Sequence, residues 1–146
     1  MNDTYDLQRF VEAQQGVFED ALAQLRNGRK TTHWMWFVFP QHKGLGHSDM
    51  AQRYAISGRD EALAYLYHPQ LGPRLETCSR ALIEWRERSA REIMGSPDDL
   101  KLRSCMTLFA SVAPDNNTFQ DVLEAFFAGE PDPKTMAIGT KGLATL

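Results

Sequence analysis

The heptapeptide WMWFVFP, residues 34–40, decides the fold class, because its apolar residues fit either a buried strand or a short buried helix. The chain has no second run rich in β-branched residues to pair with it, and an unpaired buried strand would leave backbone donors unsatisfied. We therefore expect Trp34 to Phe39 to form a short core helix or an extended core segment that ends at Pro40.

The segments on both sides of this heptapeptide have helical patterns. Before it, apolar residues from Leu7 to Leu25 recur at three- and four-residue steps, and Asn27-Gly28 provides a stop. Further helices are predicted at 48–56, 60–68, 73–85, 89–95, 96–112 and 118–129, with Ser48, Ser89, Ser96 and Thr118 as N-caps and Pro73 at a first helical position. A last turn is expected to begin at Pro133, within a frayed C-terminal tail at 130–146. These patterns predict an all-α fold, with residues 1–146 forming one compact domain of about six to eight helices joined by short connections.

Composition indicates an ordinary soluble protein. Apolar residues make up 42% of the 146 residues and charged residues 24%, close to globular averages. The net charge of −3 argues against a broad nucleic-acid surface, because such binding depends on neutralised phosphates. The longest apolar run is six residues and the amino terminus is polar and acidic, so we expect a cytoplasmic protein without membrane contact. Cys78 and Cys105 lie in apolar helical patterns and are expected to be buried reduced thiols.

The densest group of polar and aromatic residues runs from His33 to Ser48. It contains a Gly44-Leu45-Gly46 loop that leads into a predicted helix start, where backbone amides could meet an anion. The spacing matches neither the P-loop nor the dinucleotide fingerprint. We also expect either Lys101 or Arg103 to approach this loop. The candidate ligand-binding residues are His33, Trp36, Gln41, Lys43, Gly44, Gly46, His47, Ser48, Arg53, Lys101 and Arg103.

These residues suggest two functions. The first is a module that binds a small anionic, nucleotide-like ligand, with aromatic faces for a flat ring and basic side chains for its charge. If the ligand is turned over, His33 and His47 are the first candidates for acid–base chemistry, since histidine titrates near neutrality. The alternative is a structural or protein–protein interaction domain in which the aromatic residues only fill the core. The sequence indicates no cofactor and does not decide whether the protein is an enzyme.

Other chemistry has less support. His33, His42, His47 and Asp49 do not have a known metal-ligand spacing, so no metal site is predicted. Lys101 shares a helical face with Cys105 and could lower the pKa of its thiol, but apolar neighbours favour a buried, inert cysteine. Asp98 and Asp99 are explained by the first turn of a helix, where carboxylates favour the positive end of the dipole.

Several segments together resemble one protein family across nearly the whole chain. They are Leu7–Val11 with Ala13-Gln14, His33–Gln41, Gly44–Gly46 with Ser48, Tyr54–Ile56, His68-Pro69 with Leu71–Leu75, and Ser96–Ser104 with Met106–Phe109. The sequence resembles the bacterial domain-of-unknown-function family numbered 1810. The resemblance implies a small helical bacterial protein and implies no activity or catalytic residue. Members are sometimes labelled calpastatin, a name for long disordered repeat chains, which this compact and repeat-free sequence does not fit.

Overall fold

The computed structural model describes residues 3–144, and apart from one isolated β-bridge the regular secondary structure in that range is helical. The elements are α1 (Gln8–Gln14), α2 (Phe18–Arg26), α3 (Met35–Val38), α4 (Asp49–Arg53), α5 (Arg59–Tyr67), α6 (Leu71–Ile83), α7 (Ala90–Met94), α8 (Asp98–Val112), α9 (Asn117–Phe127) and α10 (Pro133–Ala144). The all-α prediction is confirmed. The described residues form ten helices, more than the six to eight expected.

The predicted first helix is two helices. Gly16 has a φ of +76°, a left-handed conformation that glycine adopts readily and that cannot continue a right-handed helix. The apolar spacing runs across this break, so the periodicity of the sequence did not show it. Gly28, with a φ of +74°, follows the end of α2 as predicted.

Helix α8 lies at the centre of the molecule. It packs against α5, α7, α9 and α10, while α6 packs against α2, α5 and α9. The side chains of Cys105, Met106 and Phe109 are fully buried. The ring of Phe109 lies 5.4 Å from that of Tyr65 and 5.7 Å from that of Phe119, centroid to centroid. The aromatic contacts of α8 therefore join α5 and α9 in one core.

The aromatic heptapeptide forms the single-turn helix α3, as one of the two sequence interpretations expected. Trp34 is fully buried, and its indole Nε1 donates to Gln24 Oε1 at 2.9 Å. The buried amide of Gln14 donates from Nε2 to the carbonyl oxygen of Phe37 at 2.8 Å. These bonds satisfy polar groups that burial would otherwise leave unpaired. They fix α3 so that Trp36 alone of its aromatic residues remains partly exposed.

Arg9 of α1 fastens the amino terminus to the segment between α4 and α5. Its guanidinium donates to the carbonyl oxygens of Arg53 and Ala55, both at 2.8 Å, and from Nη2 to Glu61 Oε2 at 2.8 Å. Glu61 Oε1 accepts from the amide of Ser57 at 3.0 Å. The Arg9–Glu61 ion pair thereby fixes the path of the chain at residues 53–57.

Several predicted helix ends were wrong. The helix that begins after Ser48 stops at Arg53 instead of Ile56, because Ile56 leaves the helix to pair with His42 in a single parallel bridge. Pro73 is the third residue of α6, which begins at Leu71.

Two of the four predicted N-caps were also wrong. The Ser96 side chain makes no cap bond to α8. Asn116 caps α9, its Oδ1 accepting from Thr118 N at 3.0 Å, because α9 begins at Asn117 and the predicted cap Thr118 already lies inside the helix. Ser48 and Ser89 do cap their helices.

The two cysteines are free and buried, as predicted. Burial raises the pKa of the Cys78 thiol to about 12 and raises that of Cys105 well above its usual range. In the described part of the chain, no helix is both long and apolar enough to cross a bilayer.

Candidate functional site

A pocket of about 380 Å³ lies between α3, the loop that follows it, α4 and the first turns of α8. Its lining residues are Met35, Trp36, Phe39, Gln41, His42, Lys43, Gly44, Gly46, His47, Ala51, Gln52, Tyr54, Ala55 and Lys101. The volume falls at the lower end of the range of small-molecule sites, roughly 300–1,000 Å³. The pocket is therefore large enough for a small metabolite.

Two backbone hydrogen bonds join the loop between α3 and α4 to the segment that follows α4, beside the pocket. The amide of Lys43 donates to the carbonyl oxygen of Ile56 at 2.8 Å, and the amide of Ile56 donates to that of Gln41 at 2.8 Å. Arg9 donates from Nη2 to the carbonyl oxygen of Ala55, the residue before Ile56, at 2.8 Å. The base of the loop is consequently fixed by hydrogen bonds within the protein.

Two glycines shape the loop itself. Gly44 has a φ of +97°, in the left-handed region that side chains rarely adopt. A Cβ at Gly46 would lie 2.5 Å from the Cβ of Ala51. The loop therefore approaches α4 so closely that only glycine fits at position 46. The amides of residues 44–47 donate to no acceptor within the described part of the protein. Three of these residues, Gly44, Gly46 and His47, line the pocket.

The lining is cationic. It contains two lysines, Lys43 and Lys101, and two histidines, His42 and His47, and no Asp or Glu among its described residues. The chain as a whole has a net charge of −3, so this concentration of positive groups is local. Lys101 Nζ lies 5.8 Å from the ring centroid of Trp36, which places a positive charge beside the partly exposed aromatic face.

Seven of the eleven predicted site residues line this pocket: Trp36, Gln41, Lys43, Gly44, Gly46, His47 and Lys101. The expected approach of α8 to the glycine loop is made by Lys101. Arg103 instead donates to the carbonyl oxygens of Glu130 and Pro131, each at 3.0 Å.

Three further predicted residues lie outside the lining. Ser48 caps α4, its Oγ accepting from Ala51 N at 3.1 Å. Arg53 lies over the Tyr54 ring, and His33 is exposed away from the pocket. The helix that starts at Ser48 has only five residues, so the positive side chains, rather than its dipole, dominate the site.

His42 is a pocket residue that the predicted site lacked. Its Nδ1 lies 2.8 Å from the carbonyl oxygen of Lys43. A carbonyl only accepts, so Nδ1 is the donor of this hydrogen bond. The sequence feature that could have identified His42 as a site residue was its position between Gln41 and Lys43, which were both predicted. His33, proposed for acid–base chemistry, is outside the pocket, whereas His42 and His47 line it.

The weaker chemical alternatives find no support in the described residues. Among them, no three or more His, Cys, Asp or Glu side chains are grouped so as to hold a metal ion. The burial of Cys105 raises the pKa of its thiol, the opposite of what a nucleophilic cysteine needs. Asp98 lies in the first turn of α8 as expected, and it also forms ion pairs with Lys30 and Lys101.

Comparison with known proteins places the chain in a family. Residues 4–138 match the family model described as "Protein of unknown function (DUF1810)". The chain belongs to the DUF1810 family. A solved structure, that of the conserved hypothetical protein Rv1873 from Mycobacterium tuberculosis, is similar with a TM-score of 0.93 and 49% identity, covering 94% of this chain and 99% of that one. No curated protein matches this DUF1810 member.

Proposed function

We propose that this DUF1810 protein binds a small anionic, nucleotide-like metabolite in the pocket beside Trp36. The observation that carries the proposal is the lining itself: two lysines, two histidines and unpaired loop amides, without a described carboxylate. A pocket of this kind favours a negatively charged ligand, because burial in a partly desolvated cleft strengthens charge-assisted hydrogen bonds.

The aromatic part of the ligand is assigned to Trp36. Phe39 and Tyr54 also line the pocket, but they are 1% and 7% exposed, and the Tyr54 ring already packs against Phe37 at 5.4 Å. Trp36 retains exposed surface next to Lys101. A base stacked on Trp36 would place its phosphate within the reach of the neighbouring lysine.

The specificity of the ligand depends on neutral polar groups. The Gln41 side chain makes no hydrogen bond within the described residues, and its Oε1 lies 3.8 Å from where a Cβ of Gly46 would be. Its amide can therefore both donate to and accept from a ligand. The second ring nitrogen of His42, Nε2, adds a further polar contact for the ligand.

The test is calorimetric titration with adenosine monophosphate, inorganic phosphate and adenosine, supported by thermal unfolding. Binding to the native state alone should raise the melting temperature with ligand concentration. We expect adenosine monophosphate to bind more tightly than either fragment, because only it engages both Trp36 and the lysines.

A matched pair of variants locates the site. Lys101→Met should weaken binding by at least about tenfold, since a hydrogen bond to a charged group contributes about 1.5–3 kcal/mol. Arg103→Met is the control, because Arg103 lies on the same helix, its side chain is 24% exposed against 27% for Lys101, and it is outside the pocket. Failure of all three compounds to bind, or equal effects of the two variants, would refute the proposal and favour an interaction domain.

A further inference from the structure

The carboxylate of Asp98 is shared by two lysines on the wall behind the pocket. Lys30 Nζ lies 2.9 Å from Asp98 Oδ2, and Lys101 Nζ lies 3.7 Å from Asp98 Oδ1. Asp98 itself does not line the pocket, whereas Lys101 does. Asp98 can therefore affect the binding of a ligand only indirectly, through its ion pair with Lys101.

The two ion pairs are unequal. The Lys30 side chain is only 7% exposed and makes the shorter contact, and its Nζ also lies 5.1 Å from the Trp34 ring centroid. The Lys101 side chain is 27% exposed and makes the longer contact. Because Coulomb attraction weakens with distance and with solvent screening, Lys30 is the main counter-ion of Asp98.

Because Asp98 pairs mainly with Lys30, the charge of Lys101 is not fully neutralised and faces the pocket. Two ammonium groups face one carboxylate, so the group of Lys30, Asp98 and Lys101 has a net charge of +1, carried on the pocket side. With Lys43, the wall offers two positive charges. A phosphomonoester carries −1.5 to −2 at neutral pH, so its charge matches this wall.

We infer that Asp98 and Lys30 act as positioning residues that set the affinity of the pocket for a phosphomonoester. Asp98 holds Lys101 over Trp36 in the free protein, and Lys30 keeps Asp98 neutralised when Lys101 turns to the phosphate. The inference rests on the proposed function, and it names the ligand class as a nucleoside monophosphate rather than an uncharged nucleoside.

The experiment compares the dissociation constant of adenosine monophosphate in two variants that leave the lining intact. Asp98→Asn removes the carboxylate that competes with the phosphate, so binding should tighten about fivefold, equivalent to ~1 kcal/mol. Lys30→Met leaves Lys101 as the remaining described counter-ion of Asp98, so binding should weaken about fivefold. The double variant should return close to the wild type.

The opposite signs separate positioning from a structural role. If the residues only supported the fold, both single variants would weaken binding in step with their melting temperatures, and the inference would be overturned. Unchanged binding in Asp98→Asn would overturn it as well. Should Lys30→Met fail to fold, Asp98→Asn alone decides, because structural damage does not tighten binding. If the wild type binds no phosphate compound, the proposed function falls together with this inference; binding without the opposite signs refutes the inference alone.

Discussion

Replacing Arg9 by methionine should lower the free energy of unfolding by about 3–5 kcal/mol, the usual cost of breaking a buried ion pair from one side. The Arg9 and Glu61 side chains are 14% and 4% exposed, and their closest atoms are 2.8 Å apart. In Arg9→Met, the Glu61 carboxylate would stay buried with the Ser57 amide as its remaining described partner.

Further hydrogen bonds place the expected loss in the upper part of that range. The Arg9 guanidinium also donates to the carbonyl oxygens of Tyr5, Asp6, Arg53 and Ala55 at 2.6–2.9 Å. Some of these carbonyls can bind water once the arginine is removed, which limits the added cost.

Urea unfolding followed by circular dichroism measures this loss, and Arg80→Met is the matched control. Arg80 pairs with Asp121 at 2.9 Å, but the two side chains are 48% and 44% exposed, so the control should lose less than about 1 kcal/mol. Adding Glu61→Gln to Arg9→Met should recover part of the stability. An Arg9→Met variant no less stable than Arg80→Met would refute the argument.

Three other predictions concern stability. Gly72→Ala should cost at least about 1–3 kcal/mol, because its Cβ would lie 2.0 Å from the backbone oxygen of Leu66, whereas Gly58→Ala meets no atom within 4 Å and should cost less than about 1 kcal/mol in the same urea titration, through the N-cap of α5 alone. Burial raises the pKa of Cys78 from 9.0 to about 12, so this thiol should lower the free energy of unfolding by about 1.4 kcal/mol for each unit of rising pH between those two values. Cys78→Ala should therefore show a shallower fall of stability with rising pH, and an equal fall would contradict the assignment. Ser89→Ala should cost about 1 kcal/mol by removing the bond that Glu92 N donates to Ser89 Oγ; an unchanged melting temperature would show the cap to be unimportant.

The helical class was predictable because apolar spacing reports directly on a buried helix face. The boundaries were less predictable, since Gly16 breaks the first helix in the middle of an unbroken apolar pattern. Ile56 was assigned to a helix because nothing local shows that it pairs with His42. A bridge between residues fourteen positions apart is decided by packing and leaves no trace in periodicity.

The site was predictable where it lay in one segment. Six residues between Trp36 and His47 were selected from local density, and all six line the pocket. The contribution of α8 was expected in outline, but choosing Lys101 over Arg103 requires the helix rotation that packing sets. Lys30 was not selected, because its role depends on a carboxylate 68 positions away in the sequence.

The hydrogen bonds of Arg9 to the carbonyl oxygens of Arg53 and Ala55 support the pocket wall, although Arg9 itself does not line the pocket. Tyr54 and Ala55 stand where they do because a side chain near the start of the chain holds the carbonyls around them. Loss of the Arg9 side chain would thus disturb the wall of the proposed binding site from a distance, and a loss of function there would identify a support of the cavity rather than a point of contact.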